Sequence, residues 1–242
     1  MTSAPRVAVL APMPMELKAF VAAGRLRRCR RDPLFSHAGR IGPWEVAATT
    51  IGMGPAMARA AAEAVCGNGR PSHVMVVGIA GGLDPELSVG SLLVPERVRL
   101  YPDGPEFRSH PLPGRVASGG LMTADALFDD DSQWRPVLES GYGALDMEAA
   151  GVAEVCERCH TAWSVYRGIS DRPDEHLVNQ AVFALSKPDG TPDLGAAARY
   201  VARDPRRIRA LSHMARSSSA AARVAAAAAC ADLAGTSLPY SS

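Results

Sequence analysis

The chain has no charge excess of either sign: 26 Lys and Arg stand against 25 Asp and Glu, for a formal net charge of +1. Nucleic-acid binders carry a strong basic excess, so no nucleic-acid partner is expected. Lysine is almost missing, present only at Lys18 and Lys187, and the arginine bias this leaves reads as genomic base composition rather than function. No apolar run approaches the roughly 20 residues of a membrane span, so no transmembrane segment is expected. The opening MTSAPR leads into VAVLAP without a long apolar stretch, which reads as a first strand and not a signal peptide. Five cysteines, an odd number without a disulfide-rich pattern, fit a reducing cytoplasm. No repeat and no linker divides the chain. At 242 residues and 47% hydrophobic content it is expected to form a single domain over 1–242, with 235–242 as a frayed tail.

What is present alternates strand and helix. Residues 7–11 predict a strand and 15–23 a helix, followed by a basic turn over 24–32 that reads as a solvated face. A hairpin is expected from 35–38 and 44–50. IGMGP then opens a helix. Gly52 and Gly54 let backbone approach a ligand there, and a helix amino end favours an anion such as phosphate. Residues 73–79 form a buried strand ending in the tight turn Gly81-Gly82. Further strands are expected over 91–94, 98–101 and 116–122, with a surface loop over 101–114 that would act as a lid. A helix follows over 131–139, and the chain closes with a loop holding a short helix over 172–193 and helices over 194–203 and 205–231. This order predicts an α/β fold, a three-layer α/β/α domain around a central mixed β-sheet.

The stretch 141–171 is the most informative. It reads as strand, helix, strand, with Asp146 and Glu148 ending one strand and Asp171 ending the other. Ligands bind at the carboxyl edge of such sheets, and carboxylates there are costly unless something polar meets them.

APMPMELKAF, IGMGPAMA, GIAGGL, DMEAAGVA and RGISD, in that order over residues 6–176, resemble the nucleoside phosphorylase and nucleosidase superfamily. This is the group of purine nucleoside phosphorylases and methylthioadenosine/S-adenosylhomocysteine nucleosidases. GIAGGLDPEL and ALSKPDGTPDLGAAARYVARDPRRIRAL resemble its hopanoid-biosynthesis branch, thought to remove adenine from adenosylhopane. The resemblance implies a phosphorylase/hydrolase-like fold and cleavage of a purine N-glycosidic bond in a 5′-substituted adenosine. It implies no metal and no cofactor, with phosphate as an alternative co-substrate to water. It also implies a homo-oligomer, a dimer or larger, located in the cytoplasm or at the membrane periphery if the substrate is a lipid. Two alternatives stand beside this: a hydrolytic nucleosidase for small 5′-thioadenosines, and an inactive nucleoside-binding homologue.

Within that reading, Glu148 accepts from the ribose hydroxyls and attracts the developing sugar cation. Asp171, oriented by Ser170, donates a proton to the purine N7, which needs a pKa above the reference of about 3.9. Glu16 takes a proton from the nucleophilic water, with Arg167 fixing that water. Met147 walls the ribose. Asp146, Ile79, Ala80, Gly81, Leu127 and Phe128 line the substrate site, and the amides of Gly52 and Gly54 are the candidate phosphate donors. Ile79 stands where many relatives have serine, Val76 where phosphorylases place arginine, and Asp146 where glutamate is common. The first two weaken phosphorolysis.

Cys156-Glu157-Arg158-Cys159-His160 matches a haem-attachment spacing. Its place on a helix continuous with the central strand predicts core packing in preference to haem or metal. His110 and His176 are expected to be solvated.

Overall fold

The computed structural model describes residues 6–126, 128, 130–172, 185, 187, 189–191, 193–204 and 206–236. Strand β1 (Arg6–Ala11) has side chains buried on both faces: Val7, Val9 and Ala11 enter one apolar cluster, Ala8 and Leu10 another. A strand of period two that is apolar throughout belongs in the middle of a sandwich of helices. The flanking layers match. Helix α1 (Pro14–Gly24) supplies Leu17 and Phe20 to the first cluster, and α2 (Pro55–Ala64) supplies Ala58 and Ala62 to the second. The fold is three layers around one mixed sheet, as the order of elements predicts.

The sheet runs β2 (Arg27–Arg28), β3 (His37–Ile41), β4 (Trp44–Thr50), β1, β5 (His73–Gly82), β10 (Tyr142–Asp146), β9 (Gly120–Thr123), β7 (Arg97–Leu100), β8 (Glu106–Arg108). Strand β11 (Ala162–Asp171) lies along the other edge of β5 and also pairs with β6 (Leu92–Leu93). Strand β5 changes neighbours along its length. Its first half pairs in parallel with β1, whereas Gly81 and Gly82 pair with β10 in the antiparallel sense. The sequence reading placed the ends of β10 and β11 on one carboxyl edge. In fact β10 runs back toward the middle of β5, and this direction delivers Asp146 to the centre of the sheet.

Several boundaries move. The strand expected at 116–122 is β9, and Val116 is 84% exposed ahead of it. The hairpin begins at His37 because Phe35 turns into the core. Part of the expected lid is sheet: β8 pairs with β7. The remaining helices are α3 (Asp131–Glu139), α4 (Ala149–Arg158), α5 (Leu194–Arg203) and α6 (Arg207–Gly235). Helix α6 outruns its expected end, with Leu233 fully buried and the Thr236 hydroxyl donating to Asp232 O at 2.6 Å. No helix among the described residues is long and apolar enough to cross a membrane.

Two glycines set how closely the layers approach. A Cβ on Gly168 of β11 would lie 2.1 Å from the Ala221 carbonyl of α6, and one on Gly151 of α4 would lie 2.4 Å from the Pro55 carbonyl of α2. Helices α2 and α4 therefore pack backbone to backbone. Arg59–Glu154 (2.7 Å) and Arg158–Glu63 (2.6 Å) tie them side by side in a parallel sense.

Candidate active site

Arg167 lies on β11 opposite Gly78 of β5, with no exposed surface. A buried guanidinium requires carboxylate partners. Its Nε and Nη2 donate to Asp146 Oδ2 at 3.1 and 2.5 Å, and Nη2 also donates to Glu148 Oε2 at 3.1 Å. Nη1 faces Glu16 Oε1 at 4.0 Å and makes no hydrogen bond among the described residues.

Each carboxylate is fixed by the start of a helix. Glu16 is in the first turn of α1. Its Oε2 accepts from the Met13 amide at 2.6 Å, the returning half of a capping box, and its Oε1 accepts from the Ile79 amide at 2.7 Å. Glu148 caps α4 and accepts at Oε1 from the Gly54 amide at 3.2 Å. Asp146 accepts at Oδ1 from the Thr123 hydroxyl (2.6 Å) and at Oδ2 from the Ala149 amide (3.1 Å). Thr123 Oγ1 in turn accepts from the Ala150 amide at 3.0 Å. The cluster is thus locked to three helix starts, where anions are favoured.

Gly78 makes the cluster possible. A Cβ there would lie 2.3 Å from Glu16 Oε1 and 2.5 Å from Arg167 Nη1. Farther along β11 the register slips between Ile169 and Asp171, a bulge that leaves Ser170 extra and sets Asp171 opposite Gly81. The buried Ser170 hydroxyl contacts Asp171 Oδ1 in a short hydrogen bond and lies 3.3 Å from the Ala80 carbonyl oxygen. The Asp171 carboxylate lies over Gly81, where a Cβ would lie 3.6 Å from Oδ2. Glu16, Asp146, Glu148, Arg167, Ser170 and Asp171 are therefore gathered along one stretch of β5, residues 78–81.

Residues 6–123 match the family model of the phosphorylase superfamily. Over those residues the chain is similar to that superfamily. A 5′-methylthioadenosine/S-adenosylhomocysteine nucleosidase of Tolumonas auensis is 28% identical over 163 residues, covering 55% of this chain and 71% of that one. Two solved nucleosidase structures share the fold. That from Neisseria meningitidis, in complex with methylthio-immucillin-A, has a TM-score of 0.69 at 16% identity, covering 95% of this chain and 98% of its own. That from Streptococcus pyogenes, in complex with 5-methylthiotubericidin, has a TM-score of 0.72 at 14% identity, covering 98% and 99%.

The buried cluster holds three carboxylates against one guanidinium. All four ionised would leave a net negative charge in a dry site, so protons are retained. Burial pushes the Glu16 carboxyl up to about 7 against the pull of Arg167 and the two amides. Burial likewise raises Glu148 to about 8, opposed by Arg167 and reinforced by Asp146 and Glu16.

The amides read as candidate phosphate donors are engaged inside the protein. Gly52 N–H donates to the Pro12 carbonyl at 3.1 Å, and Gly54 N–H to Glu148. Val76 is fully buried core. Met147, Ile79 and Gly81 are half-buried at the site and Ala80 is buried. Phe128 packs edge-on against Tyr101, ring centroids 4.8 Å apart, in a cluster with Leu83 and Met122; Leu127 lies outside the described residues. His110 is exposed beside Trp163, and His176 is also outside the described residues.

Sequence reasoning missed Gly78 and Thr123. Gly78 precedes Ile79, Ala80 and Gly81, and a glycine inside an otherwise apolar buried strand was its only signal; the tight turn expected at Gly81-Gly82 is strand instead, because both glycines pair with β10. Thr123, closing strand β9 just before an acidic turn, carried no distinguishing mark.

Proposed function

We propose that this protein hydrolyses the N-glycosidic bond of an adenine nucleoside, with water rather than phosphate as nucleophile. The observation that carries the choice is Arg167. Its Nε and Nη2 are held by Asp146 and Glu148, and Nη1 is directed at Glu16, so its charge is met by carboxylates and not offered to a phosphate. The engaged amides of Gly52 and Gly54 point the same way.

A water between Glu16 Oε1 and Arg167 Nη1 would meet one acceptor and one unused donor. Glu16, with its carboxyl near neutrality, is suited to take the proton as the water attacks the anomeric carbon. Glu148 accepts from the sugar hydroxyls. Those donors and the positive charge growing on the ring favour its ionised form. Asp171, oriented by Ser170, donates to the departing base, and Met147 closes the apolar side of the sugar.

For the substrate we propose a 5′-substituted adenosine. The C-terminal resemblance to the hopanoid branch supports a bulky apolar 5′ group of the adenosylhopane kind, and the curated relatives support a small 5′-thio group. The test measures adenine release from adenosine, methylthioadenosine and an adenosine carrying a long 5′ hydrocarbon, each with and without phosphate. Free sugar formed equally in phosphate-free buffer is the expected result. A sugar phosphate formed only with phosphate would overturn hydrolysis, and methylthioadenosine outpacing the long-chain substrate would overturn the apolar 5′ group.

A further inference from the structure

Two features of the molecule stand outside the site. The cysteine motif at the end of α4 is divided, Cys156 in the core and Cys159 exposed, and among the described residues no group of His, Cys, Asp or Glu is arranged to hold a metal. The other feature is a helical hairpin that the body leaves uncovered. None of the residues of α5 is buried, and in α6 the first to be buried is Ala221. Ala221 packs on Gly168 near the carboxyl end of β11, whereas Leu233 lies against Gly42, just ahead of the amino end of β4. Residues 207–220, about 20 Å of helix, therefore extend from the edge of the sheet that carries the site. Gly190, shortly before α5, lies against Met13 at the start of α1, where a Cβ would come 2.8 Å from Met13 Cγ.

The uncovered surface combines apolar side chains with positive charge. On α5, Leu194, Ala197, Ala198 and Val201 recur at helical spacing and share one face, with Arg199 and Arg203 on the opposite side. Leu194 is 79% exposed, and Ile208 in the first turn of α6 is 55% exposed. Residues 193–216 hold six arginines against two aspartates, in a chain whose whole formal charge is +1. Both aspartates are engaged: Asp193 caps α5 by accepting from the Ala196 amide at 2.9 Å, and Asp204 accepts from the Arg206 amide at 3.0 Å. Arg207 closes the hairpin, its guanidinium 4.4 Å over the Tyr200 ring. The other five arginines are exposed.

We propose that α5 and the first half of α6 dock the protein on an anionic lipid bilayer, with Leu194 and Ile208 entering the acyl boundary and the exposed arginines meeting the phosphates. Charge decides the occupant. A second copy presenting the same face would set arginine against arginine. A nucleic acid would meet the arginines and leave the two apolar side chains in water. A negatively charged lipid surface satisfies both. Docked in this way, the edge of the sheet that carries the site stands close to the lipid.

The test floats the full chain with vesicles of phosphatidylcholine alone and of phosphatidylcholine mixed with phosphatidylglycerol, at low and at high salt. Binding at least about tenfold tighter to the mixed vesicles, and weakened by salt, is the expected result. Arg203→Glu with Arg209→Glu should reduce that binding at least about tenfold, and Leu194→Ser with Ile208→Ser should reduce it at either salt. All four positions are exposed, so both pairs should leave the melting temperature unchanged. Equal binding to the two vesicles, no binding to either, or binding that survives both pairs of substitutions would overturn the proposal. So would a concentration-dependent dimer that Leu194→Ser with Ile208→Ser disrupts, which would assign the face to a second copy. Vesicle binding is read without substrate, so its outcome is independent of the hydrolytic reading.

Discussion

At the scale of single residues, Gly78 is the most exacting position. Any side chain there meets the ends of two buried, hydrogen-bonded groups, Glu16 and Arg167, neither of which has room to retreat. Gly78→Ala should cost about 1–3 kcal/mol from overpacking and lower turnover at least about tenfold by displacing Glu16. Thermal melting and adenine release read the two effects separately. Glu148→Gln and Asp171→Asn should each lower kcat by at least about a hundredfold, the loss typical of an electrostatic stabiliser or a general acid. Wild-type turnover in either variant would contradict its role. The acid limb of the kcat/KM profile should rise through about pH 7 as Glu16 loses its proton, and Glu16→Gln should remove both that limb and most of the rate. At this scale the sequence was informative where chemistry demanded charge: Glu148 and Asp171 stand out because carboxylates ending apolar strands have no packing rationale, whereas Glu16, in a helix, and Arg167, inside a strand, stood out only through the family resemblance. Gly78 and Thr123 escaped because their task is to make room and to donate one hydroxyl, which many strand residues do without consequence.

At the scale of elements, DMEAAG and RGISD were legible as strand, helix and strand, and β10, α4 and β11 occur where their patterns put them. Direction was not legible. A period of two reports that a strand is buried and says nothing about which neighbour it pairs with or in which sense. The reversal of β10 against Gly81 and Gly82 therefore came only with coordinates. Val116 failed as a strand residue for a related reason: its β propensity carries no weight without a partner to pair with. The contact of α6 with β11 rests on Gly168, so Gly168→Ala should lower the melting temperature by several degrees, since each kcal/mol is worth about 2–4 °C at this size. An unchanged melting temperature would mean that α6 can shift without loss.

At the scale of the whole molecule, the buried carboxyls make stability depend on pH. Glu16 and Glu148 hold protons more tightly folded than unfolded, about 7 and 8 against 4.5. Unfolding between those values releases protons. Their contribution is therefore intact below about pH 4.5 and is lost as pH rises through 7 and 8. The urea midpoint should fall from pH 6 to pH 8.5, and Glu16→Gln should flatten part of that slope. A midpoint that rises over the same range would mean the two carboxyls are ionised in the folded protein. On the far face, Asp232 of α6 accepts from Arg115 at 2.6 Å and from the Tyr166 hydroxyl at 2.7 Å, and Tyr166 is the neighbour on β11 of Arg167, which holds the buried carboxyls.

The meeting of Glu16 with Arg167 also bears on how the protein comes into being. Glu16 is made among the first residues, while its counter-ion belongs to the last strand in chain order among the described residues. Until β11 inserts beside β5, the early acid has no cation to face and must remain hydrated. A nascent chain halted before that strand would hold most of the layers and none of the chemistry.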